Sequence, residues 1–298
     1  MRADFDFHQL SHFIAVAKAG NFTQAAVEIG ISQPALSRSV QKLENKIGEP
    51  LFERRPRGVK LTELGSFFLV RANQIRDLVD DTFKELTEAG NRGLVRLAVI
   101  PTIAPYLLPT VLKKFSRRHP EIRIHVQEDT TQNIVRLCKD GDIDLAIVAL
   151  PIHEKYLEVE SLYEDELILV MPKGHSLEQK KKIRLSDIEE FPFITLGEQH
   201  CLSDNIADFC KRQSIAPVMI ERTNQLTTIQ ELVALHHGIS IIPAMAEQLD
   251  KSQRRVYRKF AGEKPTRTIA LLQNPYRYKH RFVGLFEHYM REFAGSRQ

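Results

Sequence analysis

Apolar residues recur at helical spacing from the first described pattern of the chain. In "FHQLSHFIAVAKAG", Leu10, Phe13, Ile14, Val16 and Ala17 share one face, and the pattern ends at Gly20. "NFTQAAVEIG" predicts a second helix, capped by Asn21 or Thr23 and stopped at Gly30. A third opens at Ser32 with Pro34 in its first turn and carries Ala35, Leu36, Val40, Leu43 and Ile47 as its buried stripe. Three short helices, the last two joined by a tight turn, predict a helix-turn-helix. "PLFERRPRGVKLTELG" follows as two short apolar strands around a basic tip, the pattern of a wing. From Thr62 to Gly90 a longer helical stripe runs through Leu64, Phe68, Ile75, Leu78, Val79, Phe83 and Leu86. It is wide enough for one partner helix, which predicts dimerisation. Asn91, Arg92 and Gly93 read as a hinge.

Beyond the hinge the period changes. "LVRLAVI", "IRIHVQE" and "DLAIVAL" read as strands, alternating with the helices "PYLLPTVLKKFSRR" and "NIVRLCKDG". Later come "ELILVMP", "FPFITL", a helix holding two cysteines, "VMIER", "TTIQELVALHHG" and "ISIIP", then the strand "TIALLQNP" and a helix around Phe282 to Phe293. Such alternation predicts a mostly parallel sheet with right-handed crossovers, in two lobes.

Composition narrows the class. With 298 residues, 43% hydrophobic and 27% charged, the chain is long enough for more than one core and reads as soluble and globular. The opening "MRADFDFHQLSHF" lacks a signal-type apolar core, and no run approaches membrane-spanning length, so a cytoplasmic protein is expected. The net charge of +4 is small, but seven basic residues lie between Arg38 and Lys60 against Glu44, Glu49 and Glu53. That concentration suits a phosphate backbone. At the start of the third helix, Ser32, Gln33, Pro34, Ser37 and Arg38 are the residues expected to meet the major groove. Gln33 can read an adenine edge, and Arg54, Arg55 and Arg57 on the wing would grip backbone or minor groove.

The stretch "FIAVAKAGNFTQAAVEIGISQPALSRSVQKLENKIGEPLFERRPRGVKLTELG" resembles the winged helix-turn-helix of LysR-type transcriptional regulators, and "GDIDLAIV" and "HHGISIIP" fall where that family has such strings. The resemblance implies an α/β fold with an N-terminal winged helix-turn-helix over 1–62 and a linker helix over 63–90. A two-lobed, periplasmic-binding-protein-like regulatory domain would follow, with lobe I over 94–162 and 268–298 and lobe II over 163–267. It also implies a tetramer, built as a dimer of dimers, that binds a double-stranded DNA operator, with RNA polymerase as a further candidate partner. No cofactor and no enzymatic role are implied. Within the family, "IPTIAPYLLP", "EDTTQN", "HCLSDNIADFC" and "RTIALL" are similar to the OxyR group of hydrogen peroxide sensors. Gln199 stands where that group usually has glycine, and Asn205 where glutamine is usual.

Two of only three cysteines, Cys201 and Cys210, lie nine positions apart. If Asn205 to Arg212 is helical, with Ser203 or Asp204 as cap and Cys201 ahead of the helix, the two are more than about 10 Å apart. A disulfide needs Cα atoms within about 7 Å, so joining them demands that the helix unwind or move. Cys201, beside the helix N-terminus and His200, is the expected nucleophile, and the resemblance adds Arg267 as a second positive neighbour. Peroxide would oxidise it to a sulfenic acid that Cys210 resolves. Asp204 opposes the thiolate unless its carboxylate is occupied as a cap. Thr102 and Thr131, each at a strand end where a helix begins, could bond the distal peroxide oxygen, although capping explains either alone as well. Cys138, among Ile134, Val135 and Leu137, is expected in the core.

Metal binding has little support. His8 and His12 have chelating spacing but no nearby cysteine or carboxylate ligands, and the adjacent His236 and His237 read as a helix end facing water. Three function classes compete: a peroxide-responsive regulator, a regulator of the same family that senses a small carboxylate metabolite between its lobes, and a thiol peroxidase or transport-type binding protein. The helix-turn-helix and the missing export signal oppose the last, as does the missing second redox pair. A metabolite sensor has no use for the cysteine pair.

Overall fold

The structure, a computed structural model, describes residues 6–55, 58–87 and 93–296. Two compact units divide the chain, Met1–Gly90 with Tyr276–Tyr278, and Asn91–Pro275 with Lys279–Gln298.

In the first unit, helix α1 (Phe7–Ala19) starts in a capping box between Asp6 and Gln9 and stops at Gly20, whose φ of 66° is the left-handed conformation glycine tolerates best. Helix α2 (Phe22–Glu28) is capped by Asn21, which accepts from the N–H groups of Thr23 and Gln24 at 2.7 and 3.3 Å. Helix α3 (Gln33–Ile47) is capped by Ser32. Leu10, Phe13, Leu36, Val40 and Leu43 form the centre of the core. Ala35 is only half-buried, and Ile47, at the last turn, is 36% exposed, so the buried stripe of α3 is narrower than its periodicity suggests.

Strands β1 (Phe52–Arg55) and β2 (Gly58–Leu61) pair antiparallel as the wing. Glu44 of α3 holds its base by accepting from the N–H groups of Leu51 and Phe52 at 2.7 and 3.1 Å. Helix α4 (Glu63–Thr87) leaves Leu64, Phe67, Ile75, Leu78 and Phe83 exposed as an apolar stripe. The Leu86 side chain, Asn91 and Arg92 lie outside the described residues.

The second unit opens with two parallel crossovers. Strand β3 (Leu94–Val99), helix α5 (Ala104–Arg118), strand β4 (Arg123–Glu128), helix α6 (Thr131–Asp140) and strand β5 (Leu145–Ala149) place β4 and β5 on either side of β3. Strand β6 (Glu158–Pro172) is 15 residues long and passes from one hydrophobic core to another, with Leu162 and Tyr163 in the first and Leu167 in the second. Strand β7 (Pro192–Leu196), helix α7 (Cys201–Arg212), strand β8 (Val218–Thr223) and helix α8 (Leu226–Ala234) follow, with β7 and β8 parallel. Then come strand β9 (Ser240–Pro243), the short helix α9 (Ala244–Glu247), strand β10 (Arg255–Arg258), strand β11 (Thr266–Gln273) and helix α10 (Arg281–Gly295).

The sheet is mixed rather than mostly parallel. Strand β11 runs antiparallel to both β5 and β6, and β9 and β10 run antiparallel to β6. The cause is connectivity: one long strand carries the chain out of the first core, and the strand that brings it back beside that path must run the other way.

Candidate thiol site and DNA-facing surface

Adjacent parallel strands β3 and β4 end at the same edge of the sheet, so the turns that follow them are neighbours. Thr102 sits in the turn into α5, and Thr130 caps α6 by accepting from the Asn133 N–H at 3.4 Å, which leaves Thr131 as the first helical residue. From the other core, β7 delivers the segment Gly197 to His200 and the start of α7. Ile100, Pro101, Thr102, Thr130, Thr131, Gln199, His200 and Cys201 line a pocket of about 170 Å³, a volume that includes space open to solvent. Its enclosed part is about the size of one water molecule, so it suits only a very small ligand.

Helix α7 starts earlier than its sequence suggests. Cys201 is its first residue and His200 precedes it at the cap position without a side-chain capping bond. Ser203 does not cap: its hydroxyl donates to the carbonyls of Leu196 and Gly197, at 2.8 and 3.2 Å, and so fastens the first turn to the end of β7. Asp204 is exposed and not a lining residue; desolvation first, then Asp208 and Glu198, raise its pKa.

Burial also corrects the electrostatics. His200 is 8% exposed and its Nε2 is buried without a hydrogen-bond partner. Desolvation lowers its pKa, which keeps the ring neutral at physiological pH. It therefore offers Cys201 an imidazole rather than a cation. Arg267 carries the charge, but behind the lining. Paired in register with Asp165 across β11 and β6, it donates from Nε to the Asp165 carboxylate at 3.0 Å. Its Nη1 donates to Thr102 Oγ1 at 2.9 Å and its Nη2 to the Thr102 carbonyl at 3.0 Å. Because the Thr102 oxygen accepts from arginine, its own proton is free to point into the pocket.

Sequence reasoning missed Thr130 and Gln199 as lining residues. "TT" gives no way to tell cap from first helical residue, and Gln199 is set by a long-range bond, its Nε2 donating to Asn224 Oδ1 at 2.8 Å.

The three thiols are free and differently housed. Cys201 is half-buried against the first core, and Cys210 is buried in the second. Nine residues of helix separate them by about 13.5 Å along the axis. Burial pushes the Cys210 thiol up to about 11 and, with Asp144, the Cys138 thiol up to about 12.

In the first unit Ser32, Gln33, Pro34 and Arg38 are exposed on the opening turns of α3, and Ser37 is half-buried. Arg38 Nε donates to the Pro34 carbonyl at 3.2 Å, and the Ser32 hydroxyl is taken up as the cap, accepting from the Ala35 N–H at 3.4 Å. On the wing Arg55 is exposed and pairs with Glu53 at 3.5 Å; the Arg54 side chain and Arg57 lie outside the described residues. His12 Nδ1 lies 2.7 Å from Ser39 Oγ, and His237 Nδ1 lies 2.8 Å from Glu221. Among the described residues no group of three or more His, Cys, Asp or Glu side chains is placed to hold a metal, and no helix is long and apolar enough to cross a membrane.

A winged helix-turn-helix joined to a two-core α/β unit defines a class of regulators, and both parts match it. Residues 7–66 match the bacterial regulatory helix-turn-helix proteins of the lysR family, and residues 88–295 match the LysR substrate binding domain. The chain belongs to the LysR family of transcriptional regulators, which bind DNA and are not an enzyme class. Its relatives include a probable hydrogen peroxide-inducible genes activator from Streptomyces viridosporus, 35% identical over 268 residues that span 88% of this chain and 86% of that one. They also include a probable RuBisCO transcriptional regulator from Trieres chinensis, 32% identical over 297 residues and 96% of each chain. Among solved structures, a cysteine mutant of Corynebacterium glutamicum OxyR with hydrogen peroxide bound is 27% identical, with a TM-score of 0.64 over 100% of this chain and 94% of that one.

Proposed function

We propose that this regulator senses hydrogen peroxide by oxidation of Cys201 and closure of a disulfide with Cys210. The observation that carries the reading is the position of Cys201: the first residue of α7, in a small pocket shared with Thr102, Thr131 and a buried His200 whose Nε2 has no partner among the described residues. Thr102, Thr131 and neutral His200 supply hydrogen bonds to peroxide oxygens. Arg267 orients Thr102. The thiolate attacks one peroxide oxygen, the O–O bond breaks, and hydroxide leaves and takes a proton to become water. Cys210, once exposed and deprotonated, attacks the sulfenic sulfur; the S–S bond forms, the S–O bond breaks and a second water leaves. The dithiol is oxidised by two electrons and peroxide is reduced by two.

Closure requires α7 to give up its helical span and Cys210 to leave the second core, so sulfur chemistry becomes a change of surface. The exposed stripe of α4 suits pairing with a second copy, and two such pairs give the tetramer. Changing the surface around α7 can then alter the spacing of the helix-turn-helix pairs on an operator. Gln33, Ser37 and Arg38 would face the major groove, with Arg54, Arg55 and Arg57 on the flanking backbone. Such a regulator works in the cytoplasm, where its thiols start reduced.

Intact mass and peptide mapping after a small dose of peroxide test the chemistry. The expected product has lost two hydrogen atoms, with Cys201 joined to Cys210. Unmodified thiols would favour the metabolite reading, in which a small carboxylate binds without sulfur chemistry. DNA affinity of the full chain should fall steeply with salt and fall further in Arg38→Ala.

A further inference from the structure

Helix α7 is held from two sides by different means. Leu202, Ile206, Phe209 and Cys210 face the second core and pack into it. Cys201 and Asn205, four residues apart and so on one face, turn towards the first. There Cys201 packs against the first core, and Asn205 Nδ2 donates to the carbonyl of Leu150, just past the end of β5, at 3.0 Å. Leu150 itself packs on the first core. The amide orientation is determined by its partner, because a carbonyl can only accept, so the Asn205 nitrogen must face it. Its Oδ1 is buried with no partner among the described residues. The side chain thus makes one bond across the two cores while its oxygen is left unsatisfied, an arrangement that holds the helix without holding it firmly.

We infer that Asn205 is a positioning residue, a latch whose bond to Leu150 keeps α7 in its reduced place and sets the rate at which the disulfide closes. The inference rests on the proposed Cys201 and Cys210 chemistry and concerns only its second step. Closure carries α7 away from β5, so the bond to Leu150 must break before the sulfurs meet. Asn205 is not one of the residues lining the thiol pocket, so its loss should leave the attack on peroxide alone.

The two steps can be timed separately in the full chain. In a Cys210→Ser background, trapping with a dimedone-type reagent after mixing with peroxide gives the rate of sulfenic acid formation. With Cys210 present, acid quenching and mass mapping give the rate of disulfide formation. Asn205→Ala removes the donor, and Asn205→Leu removes it while retaining bulk, so a cavity cannot explain a shared result. Both should speed closure about three- to tenfold, the loss of one hydrogen bond read as a barrier change, with sulfenic acid formation within about twofold of the parent. Unchanged closure in both variants would overturn the latch, as would equal acceleration of both steps, the mark of general loosening. If Cys201 of the parent protein does not react with peroxide, the sensing function fails as well, and that result is distinct from either.

Discussion

The two ends of α7 carry the same functional group in opposite surroundings. At its first residue Cys201 is half-buried beside hydroxyl, amide and imidazole groups. At its tenth, Cys210 is 3% exposed among Leu202, Ile206 and Phe209, and its thiol is pushed up to about 11. One thiol lines a pocket, while the other is enclosed in the core. Position on a helix, rather than residue type, gives the two sulfurs their different exposure. Cys138, fully buried and not among the pocket-lining residues, has its thiol pushed up to about 12 by burial.

The largest expected effect would come from exchanging the two roles. Cys201→Ser should abolish disulfide formation entirely, whereas Cys210→Ser should still oxidise at Cys201 and stop at sulfenic acid or pass to higher oxides. Peptide mapping that placed Cys138 in the main disulfide would break the comparison. Next, the polar end depends on Arg267. Arg267→Ala removes one partner of a buried ion pair with Asp165, and should cost about 3–5 kcal/mol in urea unfolding. Restoration of stability by Asp165→Asn in the same chain would show that the loss is electrostatic.

A smaller effect concerns the withheld thiol. In Cys201→Ser, alkylation of Cys210 needs both exposure and deprotonation, so its rate should keep climbing about tenfold per pH unit past 9 and towards 11. An exposed thiol would level off near 9, and that result would mean Cys210 is not stored in the core. The smallest involves His200. Its folded pKa lies below the ordinary 6.5, so in that window the unfolded chain binds a proton that the native protein does not. Stability should therefore fall as pH drops below 6.5 towards the folded pKa, and His200→Gln should flatten that part of the curve. A curve unchanged by the substitution would mean that the ring charges freely in place, contrary to its burial.

Much of this was legible in the chain. The caps Asn21 and Ser32, the stop at Gly20 and the stripes of α1 and α3 are local signals, decided within a turn or two of helix, and sequence periodicity reads them directly. The cysteine spacing and its conflict with disulfide geometry are equally local. The start of α7 was not, because Ser203 looks like a cap and instead donates to the carbonyls of Leu196 and Gly197. Nor was the antiparallel return of β11, which depends on the length of β6 rather than on the alternating pattern of either strand.

By itself, then, the order of residues determined the helix-turn-helix, the basic wing, the strand and helix alternation and the separation of the two thiols, since each depends on neighbours a few positions apart. Only the tertiary structure decided that His200 is neutral, that Arg267 donates to Thr102, and that the faces of α7 meet different cores. Those outcomes rest on desolvation and on contacts between residues up to 165 positions apart, and neither spacing nor composition carries that information.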